Sequence, residues 1–108
     1  MRLSALWCLL LLLPLSQAAD AQPEYTLTIR NHLFYPSELE VPANTKIRLL
    51  IINEDSSTEE FESYELNREK VIPGGRKTVI YIGPLKPGVY PFFGEFNMST
   101  AQGTVTAK

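Results

Sequence analysis

Leu85-Lys86-Pro87-Gly88-Val89-Tyr90-Pro91-Phe92-Phe93-Gly94-Glu95-Phe96 is the stretch that decides the fold. Pro87-Gly88 is a turn signal, and residues 89–93 are rich in β-branched and aromatic side chains. Gly94 opens a loop that runs to Ala101, and residues 102–106 read as a closing strand. The stretch has no 3.6-residue apolar period and is too short and too interrupted for a helix.

Outward from it the same grammar repeats. Gly83-Pro84 and Pro73-Gly74-Gly75 bracket a strand over 77–82. Residues 60–66 read as one strand, and 67–70 as a single helical turn. Residues 47–52 are so dense in aliphatic side chains that the strand is expected to be buried on both faces. Leu39 and Val41 alternate with Glu38 and Glu40, and Tyr25, Leu27 and Ile29 alternate with Thr26, Thr28 and Arg30. Residues 34–37 read as a turn and 53–57 as a loop. About seven short strands separated by turn signals predict an all-β sandwich or barrel.

The first residues differ in kind. Arg2, the apolar run 5–13 and the small residues of Ser16-Gln17-Ala18 make the three-part pattern of a secretory signal peptide over 1–18, with a second cleavage signal ending at residue 21. The run is shorter than the ~20 residues of a membrane span, so no stable span is expected after cleavage. Export places the chain in the periplasm. The single cysteine, Cys8, lies in the leader, so the remaining domain has no thiol and no disulfide. Twelve Asp and Glu face ten Lys and Arg, one of which is Arg2. The basic residues do not cluster, which argues against nucleic acid as a partner. One histidine, no thiol, no Gly-x-Ser-x-Gly elbow and no phosphate-binding loop leave no enzymatic site to propose.

Three segments together carry a family resemblance. They are Phe34-x-Pro36-x-x-Leu39-x-Val41-Pro42-Ala43-x-Thr45; Glu59-Glu60-Phe61-Glu62-Ser63 with Leu66 and Glu69-Lys70; and the opening stretch, with Gly103 and Val105. In order and spacing, residues 25–106 resemble a cupredoxin, and within that fold the EfeO-type cupredoxin-like family. The resemblance implies a Greek-key β-sandwich and an association with bacterial iron uptake, hence an iron-permease or other periplasmic iron-uptake partner.

The residues limit the chemistry. A blue-copper centre needs a Cys thiolate, two His and a weak axial ligand. The resemblance places those positions at Gly94, Asn97 and Ala101, with the first His near Glu59 and Glu60, so that centre cannot form. What the resemblance carries over from the related iron-uptake site is the Glu-x-Glu pair, onto Glu60 and Glu62. The two cysteines of that site match Gly94 and Phe34 and do not carry over. Glu60 and Glu62 share a strand face, with Cα atoms about 7 Å apart. The last loop is expected to bring Glu95 toward them. Three carboxylates suit iron or another hard cation better than copper. Glu59, Met98 and His32 are secondary candidates, the last two for copper. Two readings stay open at this level. One is a metal site at Glu60, Glu62 and Glu95. The other is a solvated acidic face with Arg68, Lys70 and Arg76 as partners, including a Glu95–Lys70 pair, on a metal-free module that docks a membrane or periplasmic partner through the 92–96 edge.

Overall fold

The computed structural model describes residues 22–108. The leader expected over 1–18, and its alternative end at 21, lie outside the described residues. Nine strands follow: β1 (Glu24–Arg30), β2 (Leu33–Tyr35), β3 (Glu38–Val41), β4 (Ile47–Asn53), β5 (Glu59–Ser63), β6 (Arg68–Ile72), β7 (Lys77–Ile82), β8 (Gly88–Gly94) and β9 (Gln102–Ala107). A 3-10 turn, Glu95–Asn97, joins β8 to β9. No helix among the described residues is long and apolar enough to cross a membrane.

The strands form two sheets, in the orders β2-β1-β4-β7 and β3-β9-β8-β5-β6. β1 pairs parallel with β4, and β3 with β9, while the other ladders are antiparallel. Alternate residues point into the space between the sheets. Leu27, Ile29, Leu49, Ile51, Ile80 and Ile82 face inward from one sheet, and Phe61, Ile72, Phe92 and Val105 from the other. Phe34 packs edge-on to Phe92 with ring centroids 4.9 Å apart, and Phe61 lies 5.1 Å from Phe92.

The all-β sandwich agrees with the sequence reading, and three local expectations are corrected. β4 buries only one face, because the outward residues Arg48, Leu50 and Ile52 are half-covered. Phe34 and Tyr35 of the turn expected at 34–37 pair with β1, together with Leu33, as a short strand. The expected helical turn at 67–70 is instead the start of β6. Ser63 causes this: its Oγ donates to Pro91 O at 2.7 Å and accepts from Leu66 N at 3.0 Å, which ends β5 and curls the chain. Asn67 then takes a left-handed conformation, φ 55°, and reverses it.

A buried Asn53 fixes the approach to β5. Its Nδ2 donates to Ser57 O and Ile72 O, and its Oδ1 accepts from Asp55 N. The Asp55 carboxylate accepts in turn from the backbone N–H of Asn31 and His32, which form the left-handed turn between β1 and β2.

Candidate metal centre

Two acidic sites lie back to back on β5, and its alternation separates them. Glu59, Phe61 and Ser63 point inward, while Glu60 and Glu62 point outward and are half-buried.

Glu59 is 2% exposed. Its Oε1 accepts from the backbone N–H of Phe96 at 2.9 Å and of Glu60 at 2.9 Å. Its Oε2 accepts from Asn97 Nδ2 at 2.8 Å. These hydrogen bonds offset the cost of burying the polar Glu59 side chain. The loop is closed by Gly94 N donating to Ala101 O and Ala101 N donating to Asn97 O, both at 2.8 Å. A Cβ on Gly94 would sit 2.5 Å from Glu59 Oε2 and 2.8 Å from the Ala101 side chain, so glycine is required by space. The positions to which the resemblance assigns copper ligands therefore do converge. They meet around a carboxylate held by three hydrogen bonds. With no thiolate and no imidazole, and with Glu59 in the space a larger residue at 94 needs, these residues do not fit a copper–thiolate centre.

The outward site is built differently. Glu62 stands directly opposite Glu69 in the β5–β6 ladder, and Glu60 opposite Val71. One carboxylate oxygen each from Glu60, Glu62 and Glu69 lie within 4.8 Å of one another. Like charges at this spacing repel unless a cation or proton intervenes. The Glu60 carboxyl is held above its ordinary range, first by loss of solvation and then by Glu69, Glu95 and Glu59. The Glu62 carboxyl is raised by loss of solvation, then by Glu69, Glu60 and Glu95. Among the described residues the ion pairs are Arg30–Glu54, Arg48–Glu24 and Lys108–Glu40, and none reaches this cluster. The expected Glu95–Lys70 pair is not among them. Arg68 spends its guanidinium on the carbonyls of Tyr81 and Asn67.

The grouping thus differs in one member from the one the sequence suggested. Glu60 and Glu62 are together, and their third partner within 4.8 Å is Glu69 rather than Glu95. Glu95 sits exposed on the 3-10 turn beyond the end of β8, where its field reaches both carboxylates without its oxygens joining them. Reading 67–70 as a helical turn hid Glu69. Continuing the alternation of a hairpin strand through Arg68-Glu69-Lys70 would have found it. The other candidates lie apart. His32 belongs to the β1–β2 turn: its carbonyl accepts from Thr100 Oγ1 at 2.8 Å, and its Nε2 lies 3.5 Å from Ser57 Oγ. Met98 is exposed beside a surface groove it shares with Phe93 and Gln102.

The chain resembles known proteins over nearly its whole length. Residues 3–107 match the cupredoxin-like domain family. A curated relative, the uncharacterized protein RP394 of Rickettsia prowazekii (strain Madrid E), is 49% identical over 82 residues, which are 76% of this chain and 66% of that one. The chain therefore spans just under two thirds of that relative's length. Among solved structures, auracyanin A, a "blue" copper protein from Chloroflexus aurantiacus, superposes with a TM-score of 0.70 at 9% identity, covering 82% of this chain and 100% of that one. A purple cupredoxin from Nitrosopumilus maritimus gives 0.60 at 20% identity, over 77% and 98% of the two chains. The metal-binding domain of the Cu(I)-exporting P-type ATPase CopA of Streptococcus pneumoniae gives 0.63 at 15%, over 79% and 84%. At these identities the structures speak to fold alone, and with the family match they lead to one conclusion: this chain belongs to the cupredoxin-like domain family.

Proposed function

We propose that the chain is an exported cation-handling module of EfeO type, accessory to iron uptake, that holds its ion on the outer edge of the sandwich at Glu60, Glu62 and Glu69, with Glu95 alongside. The observation that carries this reading is the convergence of three carboxylate oxygens within 4.8 Å, with no ion-pairing side chain among the described residues. An all-oxygen donor set favours hard cations, ferric iron and manganese among them, over cuprous copper. The site lies at the surface, where an ion is exchanged with a partner without opening the core. A periplasmic iron-permease system is the partner class the family resemblance suggests. In this reading the fold supplies the placement of the carboxylates, and no enzymatic step is assigned to it.

Isothermal titration of the purified domain with Mn2+, with Fe2+ under anaerobic conditions and with Cu2+ tests the reading. Stoichiometric uptake of Mn2+ and Fe2+, lost in Glu60→Gln/Glu62→Gln, is expected. Uptake unchanged in that variant, or no uptake of any of the three ions at micromolar concentration, would refute it.

A further inference from the structure

Strand alternation gives the two outer faces of the sandwich different characters. On the five-stranded sheet, Glu38 and Glu40 of β3, Glu60 and Glu62 of β5 and Glu69 of β6 point outward. Two bases stand beside them: Lys108 is bound to Glu40 at 2.7 Å, and Arg68, which lines a pocket with Glu62 and Glu69, donates to the carbonyls of Tyr81 and Asn67. Between these acidic banks runs an apolar strip. Val89, Pro91 and Phe93 alternate outward along β8, Tyr64 packs on Phe93 with centroids 5.6 Å apart, and the following loop carries exposed Phe96 and Met98, the latter lining a groove with Phe93. Tyr64 is 73% exposed, Val89 60%, Phe96 54% and Met98 51%. The groove beside the strip is lined by Phe93, Met98 and Glu38 among others. The four-stranded sheet shows no such banks: its outward Arg30 and Arg48 are already paired with Glu54 and Glu24.

We propose that this acidic–aromatic face of the five-stranded sheet docks a protein partner whose contact surface carries Lys or Arg around an apolar side chain. Exposed aromatic and Met side chains gathered in one patch mark an interaction surface. The carboxylates on both sides fix the sign of the complementary charge. On the opposite face Lys77 of β7 lies outside the ion pairs and Lys46 stacks on Tyr81, so a second copy is the competing occupant that the test must separate from a different partner. An anionic lipid surface is repelled by the banks. One of the two banks is the carboxylate trio of the proposed cation site, so the docking is tested with that site kept free of metal.

The test is an amide NMR titration of the protein in EDTA at pH 7, with the capped peptide Lys-Phe-Lys-Phe-Lys as probe and Glu-Phe-Glu-Phe-Glu as control. EDTA separates this result from the cation reading. Shifts are expected at Glu62, Phe93, Gln102 and Thr104 with the basic peptide only. The affinity should fall about tenfold between low salt and 0.3 M as screening shortens the reach of the banks. It should be lost in Glu38→Lys/Glu62→Lys and weakened in Phe96→Ser, both changes at solvent-facing positions. Equal binding of the two peptides, shifts confined to the four-stranded sheet, concentration-dependent self-association through this face, or binding of phosphatidylglycerol vesicles in place of the peptide would overturn the proposal.

Discussion

At the scale of the residue, one carboxylate accounts for the interior of the site. Glu59 ties the start of β5 to the loop after β8 through Phe96 N and Asn97 Nδ2. Glu59→Ala leaves those donors buried without an acceptor, and a loss of about 1–3 kcal/mol in urea unfolding is expected. Glu59→Gln sets an amide donor against the Asn97 amide. The paired change Glu59→Gln/Asn97→Asp restores one donor and one acceptor, and should recover part of the loss. Gly94→Ala drives a methyl into the Glu59 carboxylate and Ala101, an overpacking expected to cost about 1–3 kcal/mol. Much of this was legible: the sequence alone excludes a thiolate centre, and Gly94 and Ala101 are small residues at ligand positions. The inward turn of Glu59 was legible only as the complement of Glu60 and Glu62 facing out. Its three hydrogen bonds depend on where a loop some 37 residues away comes to rest.

At the scale of the element, the β5–β6 hairpin holds the acidic edge, and its energetics carry a sign. The carboxyl groups of Glu60 and Glu62 are raised above 4.5 in the folded protein. The folded state therefore binds protons more tightly than the unfolded chain in the window just above 4.5, and stability in that window falls as pH rises. The melting temperature should increase as pH is lowered from 7 toward 5, with a shallower slope in Glu62→Gln. Asp55 acts in the opposite sense. Backbone hydrogen bonds, that from His32 foremost, hold its carboxyl below 3.8, so its contribution is present above 3.8 and is lost as pH falls through the folded value. The gain on acidification should therefore reverse below about pH 4. Glu69→Gln removes one of the repelling charges and should raise the melting temperature at pH 7. That Glu69 was missed reflects a competition between local signals: Asn67-Arg68-Glu69-Lys70 carries ordinary helix-compatible residues, and the hydrogen bonds of Ser63 to Pro91 and Leu66 override that local preference.

At the scale of the molecule, the two sheets are held by a shared aromatic and aliphatic core, and Phe92 is its centre, touching both Phe34 and Phe61. Phe92→Ala should destabilise the fold by about 3–5 kcal/mol in equilibrium unfolding. The sandwich itself was readable because turn residues punctuate alternating strands throughout, from Tyr25 to Val105. Strand number was underestimated at β2 and β6, which pair with the strands just before them across tight turns of left-handed Asn31, His32 and Asn67 rather than glycine, so the turns carried a weak signal. In the proposed reading the architecture divides the labour of the chain: Glu59 is bonded within the interior, and cation binding falls to carboxylates on the outer edge. The most direct test of that division is a crystal of the domain soaked in Mn2+ and measured for anomalous scattering. The account predicts one strong peak coordinated by Glu60, Glu62 and Glu69. A peak beside Glu59 and Asn97, or at Met98 and His32, or no peak at all, would contradict it.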